Sequence, residues 1–254
     1  MKKIILNYLY HQFLKYNYTY QKLTNSFDPE MKYIPKLVKN KRVAIDIGAN
    51  IGIYTRYLSK IFNKVEAFEP LVKASKYIEK ANFKNVNIHN IALSNKKDTY
   101  EFYIPIKSDI ARYSNSSLED SIFNKYDNVK KINIETNILD NFHFHQVDFI
   151  KIDVEGHEKQ VLEGSQETIK KFKPIILIEI EQRHLPKNVS VEDIFKYIKQ
   201  FEYKGFFINK NQLESIEHFD INRYQTKFLK ESKIALSNRN KVKIYINNFF
   251  FLPK

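Results

Sequence analysis

The sequence predicts an α/β protein: a mostly parallel sheet with helices on both faces, preceded by an N-terminal helical extension. Three observations predict it. Between residues 43 and 93, short apolar runs alternate with helix-like segments, the strand–helix–strand pattern of a sheet covered on both sides. A glycine-bearing turn joins the first run to the first helical segment. A second strand–helix–strand block follows between residues 147 and 180.

The elements follow in order. Ile5, Leu9, Phe13 and Tyr16 recur every three to four residues, so 1–24 reads as a helix packed on the domain or on a second copy in a homodimer. Ser26-Phe27-Asp28-Pro29 marks a turn or helix start. Arg42–Ile47 is a strand, Ile53–Phe62 a helix, and Lys64–Glu69 a strand stopped by Pro70. Val72–Ala81 is helical and Val86–Leu93 forms a third strand. Tyr100–Ile106 and Lys131–Thr136 alternate like further strands, with a polar, Ser-rich loop from Ala111 to Asp120 between them. Val147–Val154 is a buried strand, followed by Gly156 and a helix from about His157 to Lys171. Pro174–Ile180, Gly205–Ile208 and Phe249–Leu252 are strands, and Val191–Phe201 is a helix. No repeat or low-complexity linker interrupts the chain, which divides into an extension (1–40) and a single domain (41–254).

Composition narrows the chemistry. The 254 residues can bury one sizeable core and include no cysteine, which excludes disulfide frameworks, Cys-rich zinc sites and thiolate nucleophiles. No apolar run approaches the roughly 20 residues that span a bilayer. The N-terminus turns polar at His11 without a small-residue cleavage site, so a cytoplasmic protein is expected. The charge of +13 is localised. Residues 1–42 hold nine Lys/Arg against Asp28 and Glu30, and residues 223–243 hold seven against Glu231; the rest is neutral. Two basic segments are either solvated helix faces or a lure for an anionic partner such as a nucleotide-sugar, a membrane surface or RNA. No DNA partner is expected.

Only five glycines occur: 48, 52, 156, 164 and 205. Gly48 and Gly52 bracket the first strand-to-helix turn, and Glu69 follows Asp46 by 23 residues, the spacing of an acid that holds ribose hydroxyls. The pattern is Gly-x-x-x-Gly, not the Gly-x-Gly-x-x-Gly of dinucleotide sites, and Asp46 would repel a pyrophosphate. A cofactor carrying an ammonium and a sulfonium suits the turn better, which favours S-adenosylmethionine over NAD.

Longer segments carry a resemblance. They are Asp46-Ile-Gly-Ala-Asn-Ile-Gly-Ile-Tyr-Thr55, Ala67-Phe-Glu-Pro70, Asn90-Ile-Ala-Leu-Ser94, Ser116-Ser-Leu118 and Leu139-Asp140. Ile150-Lys-Ile-Asp-Val-Glu-Gly-His-Glu158, Leu162-Glu-Gly164 and Ile178-Glu-Ile180 continue the series. In this order they resemble the FkbM family of S-adenosylmethionine-dependent methyltransferases. The resemblance implies a class I methyltransferase (Rossmann-like) sheet of seven strands, the last antiparallel. It implies that Asp46, Gly48 and Asn50 line the amino-acid part of the cofactor, on the turn that Gly52 closes. Glu69 would take the ribose hydroxyls, and Ala92 would flank the adenine. It also inclines the function toward O-methylation of a carbohydrate, free, nucleotide-activated or lipid-linked, in surface or capsule polysaccharide biosynthesis.

Asp153-Val154-Glu155-Gly156-His157 is a second centre. In an extended strand Asp153 and Glu155 share a face at the carboxyl end, where open α/β sheets bind ligands. An alcohol acceptor is a poor nucleophile, so a base or metal must help remove its proton. Asp153, Glu155 and His157 are the catalytic candidates. Asp153 with Glu179 and Glu181 forms the alternative, an oxygen ligand set for a hard divalent ion. Arg112–Ser117 is a candidate loop to close over the acceptor. The rival activity is RNA methylation through the basic terminal segments.

Overall fold

The computed structural model describes residues 28–107, 110–111, 116–119, 128–227 and 245–254. The expected helix over 1–24, residues 112–115 of the candidate loop and most of the basic segment 223–243 lie outside the described residues.

The chain passes through a 3-10 turn, Pro29–Lys32, and a short helix α1 (Ile34–Leu37). It continues as β1 (Val43–Ile47), α2 (Ile53–Leu58), β2 (Lys64–Phe68), α3 (Val72–Ala81) and β3 (Val86–His89). Next come β4 (Ala92–Leu93), β5 (Asp98–Lys107), β6 (Ile110–Ala111) and β7 (Val129–Asn137). The second half runs β8 (Phe149–Ile152), α4 (Glu158–Glu163), α5 (Gln166–Phe172), β9 (Ile175–Glu179) and α6 (Val191–Lys199). It ends with β10 (Tyr203–Asn209), β11 (Gln212–Ser215) and β12 (Asn248–Pro253).

The main sheet has the order β11-β10-β12-β9-β8-β1-β2-β3. Neighbours from β3 through β9 are parallel, and β12 is inserted antiparallel between β9 and β10. This is the expected mostly parallel sheet with its last strand reversed. It holds eight strands rather than seven, because Lys210 and Asn211, both at positive φ (47° and 64°), fold β11 back on β10. Two left-handed residues suit the right-handed twist of a two-residue hairpin.

All five residues of β1 and all four of β8 are buried, as strands covered on both faces require. Side chains sort by parity: Ile45, Ile47, Phe249 and Phe251 enter one core layer, Ala44 and Phe250 the other. Phe195 of α6 meets Phe249 edge-on with ring centres 4.8 Å apart. Truncating such a buried ring costs about 3–5 kcal/mol. The N-terminus of α6 carries a capping box: Asp193 N donates to Ser190 Oγ at 3.1 Å, and Ser190 N donates to Asp193 Oδ2 at 2.9 Å. Such a cap contributes about 1 kcal/mol.

Two expectations change here. The strand expected over 86–93 is divided, because Ala92–Leu93 pairs with β7 in a second sheet ordered β4-β7-β5-β6. The single helix expected from His157 to Lys171 is two helices broken at Gly164–Ser165. A Cβ on Gly164 would lie 2.0 Å from the Ser94 carbonyl oxygen, so the α4–α5 break presses backbone against backbone at the end of β4. Ser165 Oγ also donates back to the Val161 carbonyl at 2.6 Å, a bond that competes with helix continuation. Among the described residues no helix is long and apolar enough to cross a membrane.

Candidate functional site

The turn after β1 is built by conformations most residues avoid. Gly48, Asn50 and Gly52 have φ of +80°, +50° and +88°. Gly48 is indispensable on two counts, since a Cβ there would sit 1.8 Å from the Asp153 carbonyl oxygen. The amides of Gly48 and Ala49 both donate to the Phe68 carbonyl at 3.0 Å, which ties the turn to the end of β2. One residue on, the Asn50 amide donates to Glu69 Oε2 at 2.8 Å, and the Leu71 amide donates to Glu69 Oε1 at 2.8 Å. Glu69 is 5% exposed, and burial pushes its carboxyl up to about 7 against those two amides.

Above the turn lies a cleft of about 610 Å³, part of it open to solvent. Gly48, Asn50, Glu69 and Ala92 of the expected cofactor set line it, as do Asp153 and Glu155 of the expected catalytic set. Phe68, Pro70, Ile91, Leu93, Phe102 and Leu118 give it apolar walls. Ser116 reaches it from the candidate loop, and Ser117 Oγ donates to the Glu155 carbonyl at 2.7 Å.

Five expected residues, Asp46, Gly52, His157, Glu179 and Glu181, stand outside the lining of the cleft. Asp46 does not line the cleft. It is 1% exposed behind the turn, where Thr55 Oγ1 of α2 donates to Oδ2 at 2.6 Å and burial raises its pKa. Gly52 does not line it either; a Cβ there would lie 2.5 Å from Ile78 Cγ1 of α3. His157, expected as a base, is 4% exposed with both ring nitrogens engaged: Nε2 with Ser94 Oγ at 2.9 Å and Nδ1 with Glu119 Oε1 at 2.5 Å. It fastens the 116–119 segment to β4 rather than facing the cleft. The metal set also separates. Glu181 turns to Arg183, to the Tyr245 hydroxyl at 2.9 Å and to Asn247 Nδ2 at 3.0 Å. Asp153 takes Lys151 Nζ at 3.0 Å instead. Among the described residues no three His, Asp or Glu side chains gather as a ligand set.

Two residues carry roles that the sequence did not signal. Lys151 is 2% exposed, bonded to Asp153 and poised 4.5 Å from the centre of the Tyr54 ring. Burial lowers its pKa, but Asp153, Glu179 and Asp46 outweigh that and leave it raised. Its motif position was visible, yet a lysine in a buried strand looks like an exception until the carboxylates around it are placed. His184 holds Glu155, with Nδ1 2.6 Å from Glu155 Oε2. No local pattern announces it, because it comes from the loop after β9.

The Methyltransferase FkbM domain model matches residues 46–206, more than half of the chain. The chain belongs to the FkbM methyltransferase family. This FkbM-family domain is similar to the crystal structure of Methyltransferase FkbM from Methylobacillus flagellatus KT, with a TM-score of 0.50 and 15% identity. The alignment covers 98% of this chain and 60% of that one, so the chain spans well under two thirds of that protein's length. An rRNA methylase from Streptococcus thermophilus is similar over 89% of this chain and 93% of its own, at TM-score 0.46 and 11% identity. SMU.1697c from Streptococcus mutans, solved in complex with SAH, covers 88% and 94% at the same score and identity. No curated protein sequence is similar enough to count as a match.

The family's cofactor, S-adenosylmethionine, fits the residues present. The Gly48 turn leaves room where any side chain would collide, and a nearly buried carboxylate, Glu69, stands at its edge. The apolar walls around Ile91, Ala92 and Phe102 suit a purine ring, and the carboxylate-rich end at Asp153 suits a cationic group. Glu69 would take ribose hydroxyls, and Gly48, Asn50 and Asp153 would face the amino-acid end.

Proposed function

We propose that the chain is an S-adenosylmethionine-dependent O-methyltransferase that acts on a hydroxyl of a carbohydrate, free, nucleotide-activated or lipid-linked, in surface polysaccharide biosynthesis. One observation carries this reading: Glu69 and the pair Asp153 and Glu155 line the same cleft on either side of the β1 turn. The first suits a nucleoside and the second a hydroxyl. The cofactor supplies, when bound, an electrophilic methyl group on a positively charged sulfur. Asp153, fixed by Lys151, would orient the acceptor. Glu155 would accept the hydroxyl proton, a contribution of about 10²–10⁴-fold for a positioned base. The absence of cysteine removes carbon-5 pyrimidine chemistry from the rival RNA reading. The carbohydrate itself rests on the family resemblance.

The test is transfer of labelled methyl from S-adenosylmethionine to a panel of nucleotide-sugars and lipid-linked sugars, with and without chelator. Label in an alkali-stable sugar ether supports the proposal, and activity that survives chelation supports the protein base over a metal. Label only in RNA, with binding that weakens steeply as salt rises, would replace it with the nucleic-acid rival.

A further inference from the structure

We infer that His184 is a positioning residue for methyl transfer, acting through Glu155: it holds that carboxylate in one direction, aimed into the cleft. The inference rests on the O-methyl transfer proposed above and adds a residue that the sequence motifs do not contain.

Glu155 is held in an unusual state. Its φ is +55°, a left-handed conformation that a residue with a side chain adopts only at a cost. The next residue, Gly156, has φ +109°, and a Cβ on it would lie 2.3 Å from the His184 carbonyl oxygen. The backbone of the 153–156 turn is thus pressed against the backbone of the loop after β9. That contact brings the His184 ring behind Glu155, with Nδ1 2.6 Å from Oε2. The far side of the ring faces a second carboxylate, with Nε2 3.5 Å from Glu181 Oε2.

Glu181 is itself over-determined. It is 5% exposed and accepts from Arg183, from the Tyr245 hydroxyl and from Asn247. Those bonds, with the charges of His184 and Arg183, hold its pKa down against its burial. The imidazole therefore lies between a fixed carboxylate and one that lines the cleft. A ring pinned on its Glu181 side can present Nδ1–H to Glu155 in only one direction.

A short bond from a fixed donor restricts the directions a carboxylate can take. Asp153, Glu158 and Glu179 are the neighbouring carboxyls, and Arg183 is the nearby cation on the Glu181 side. Without His184, Glu155 would lose the orientation needed to receive the acceptor's proton. His184 does not line the cleft, so it acts on the reaction through Glu155.

Two substitutions separate position from bulk. His184→Asn keeps an N–H at the place of Nδ1, whereas His184→Leu removes it at similar size. The full chain would be labelled with ¹³C at glutamate side-chain carboxyls and observed by NMR, with the Glu155 signal identified through Glu155→Gln. Methyl transfer to the sugar acceptor would be followed alongside, and isothermal titration with S-adenosylmethionine would check the fold. In His184→Leu, the Glu155 carboxyl signal is expected to shift and broaden as the side chain loses its single direction. Turnover should fall about tenfold or more, with cofactor affinity within about twofold of the parent. His184→Asn should restore most of each. A Glu155 signal unchanged in His184→Leu, or a His184→Asn protein no better than His184→Leu at equal cofactor affinity, would overturn the inference. A wild-type protein inactive on every carbohydrate would remove the proposed acceptor class. The Glu155 signal, which needs no acceptor, would still decide the role of His184.

Discussion

Glu69 ties cofactor affinity to pH in a way that can be worked out from its surroundings. Its two oxygens already accept the Asn50 and Leu71 amides, yet burial and the nearby Asp46 and Asp153 leave its pKa near 7. The protonated form has surrendered one acceptor site, so the ionised form should bind ribose hydroxyls and a cationic sulfur better. With a pKa of about 7, roughly a tenth of the protein is ionised at pH 6 and nine-tenths at pH 8. If only that form binds well, affinity for S-adenosylmethionine should tighten by about tenfold across this interval. Glu69→Gln keeps the shape but cannot ionise. It should bind about 10–100-fold more weakly than wild type at pH 8, the loss expected for hydrogen bonds to a charged group, and should show a flat pH dependence. Isothermal titration at pH 6, 7 and 8 on both proteins makes the comparison. A wild-type affinity that is flat in pH, or a Glu69→Gln protein with the same slope as wild type, would refute the placement of Glu69 on the cofactor.

Glu155→Gln should lower methyl transfer by about 10²-fold or more while cofactor affinity stays within a few-fold, measured by single-turnover kinetics beside calorimetry. His157→Gln should cost about 1–3 kcal/mol of stability by breaking the Ser94 and Glu119 bonds, read by denaturant unfolding, and should not change the acid limb of the rate profile as loss of a base would. Glu158 is 2% exposed with Oε2 lacking a hydrogen-bond partner among the described residues, and burial pushes its pKa up to about 8 from an ordinary 4.5. A carboxyl whose folded pKa is raised contributes stability below 4.5 that is lost as pH climbs toward 8. Between pH 5 and 7.5 that loss amounts to about 3 kcal/mol from this group. Glu158→Gln, which keeps an acceptor for the Gly156 amide, should flatten this part of the stability profile in urea unfolding at several pH values; equal slopes would contradict the buried neutral acid.

The sheet was legible because its strands are nearly continuous apolar runs bounded by glycine, proline or a carboxylate, which hold whatever the tertiary partners. The errors fall where partners decide. Val86–Leu93 reads as one strand, but Asn90, bonded to Ser75 of α3, and Ile91 redirect the chain toward β7. The 157–171 helix reads as continuous because Gly164 costs a helix only about 1 kcal/mol; the contact that breaks it, with the Ser94 backbone, is 70 residues away in sequence. The same distinction runs through the site. Gly48 and Glu69 are read from spacing and Asn50 from the family resemblance, since a turn and the acid after the next strand are local consequences of the topology. His157 and His184 differ only by what they face, and sequence spacing carries no direction for a side chain.

Lys151 shows why direction matters most for charge. Asp46, Glu69, Asp153, Glu155 and Glu179 lie on or just behind the cleft, and Lys151 is the buried cation set among Asp46, Asp153 and Glu179. In water such a cluster would be unremarkable, but in a buried setting each unbalanced carboxylate disfavours its neighbours' ionisation. Lys151 donates to Asp153 directly and partly offsets the burial of Asp46, whose pKa stays raised, as do those of Glu69 and Glu179. The cleft therefore retains a negative surplus that one lysine does not cancel. A pyrophosphate would add to that surplus, whereas a ligand bearing a sulfonium and an ammonium would relieve it. Discrimination against a dinucleotide would thus come less from the missing third glycine than from the charge balance around Asp153, to which Asp46, buried behind the turn, contributes.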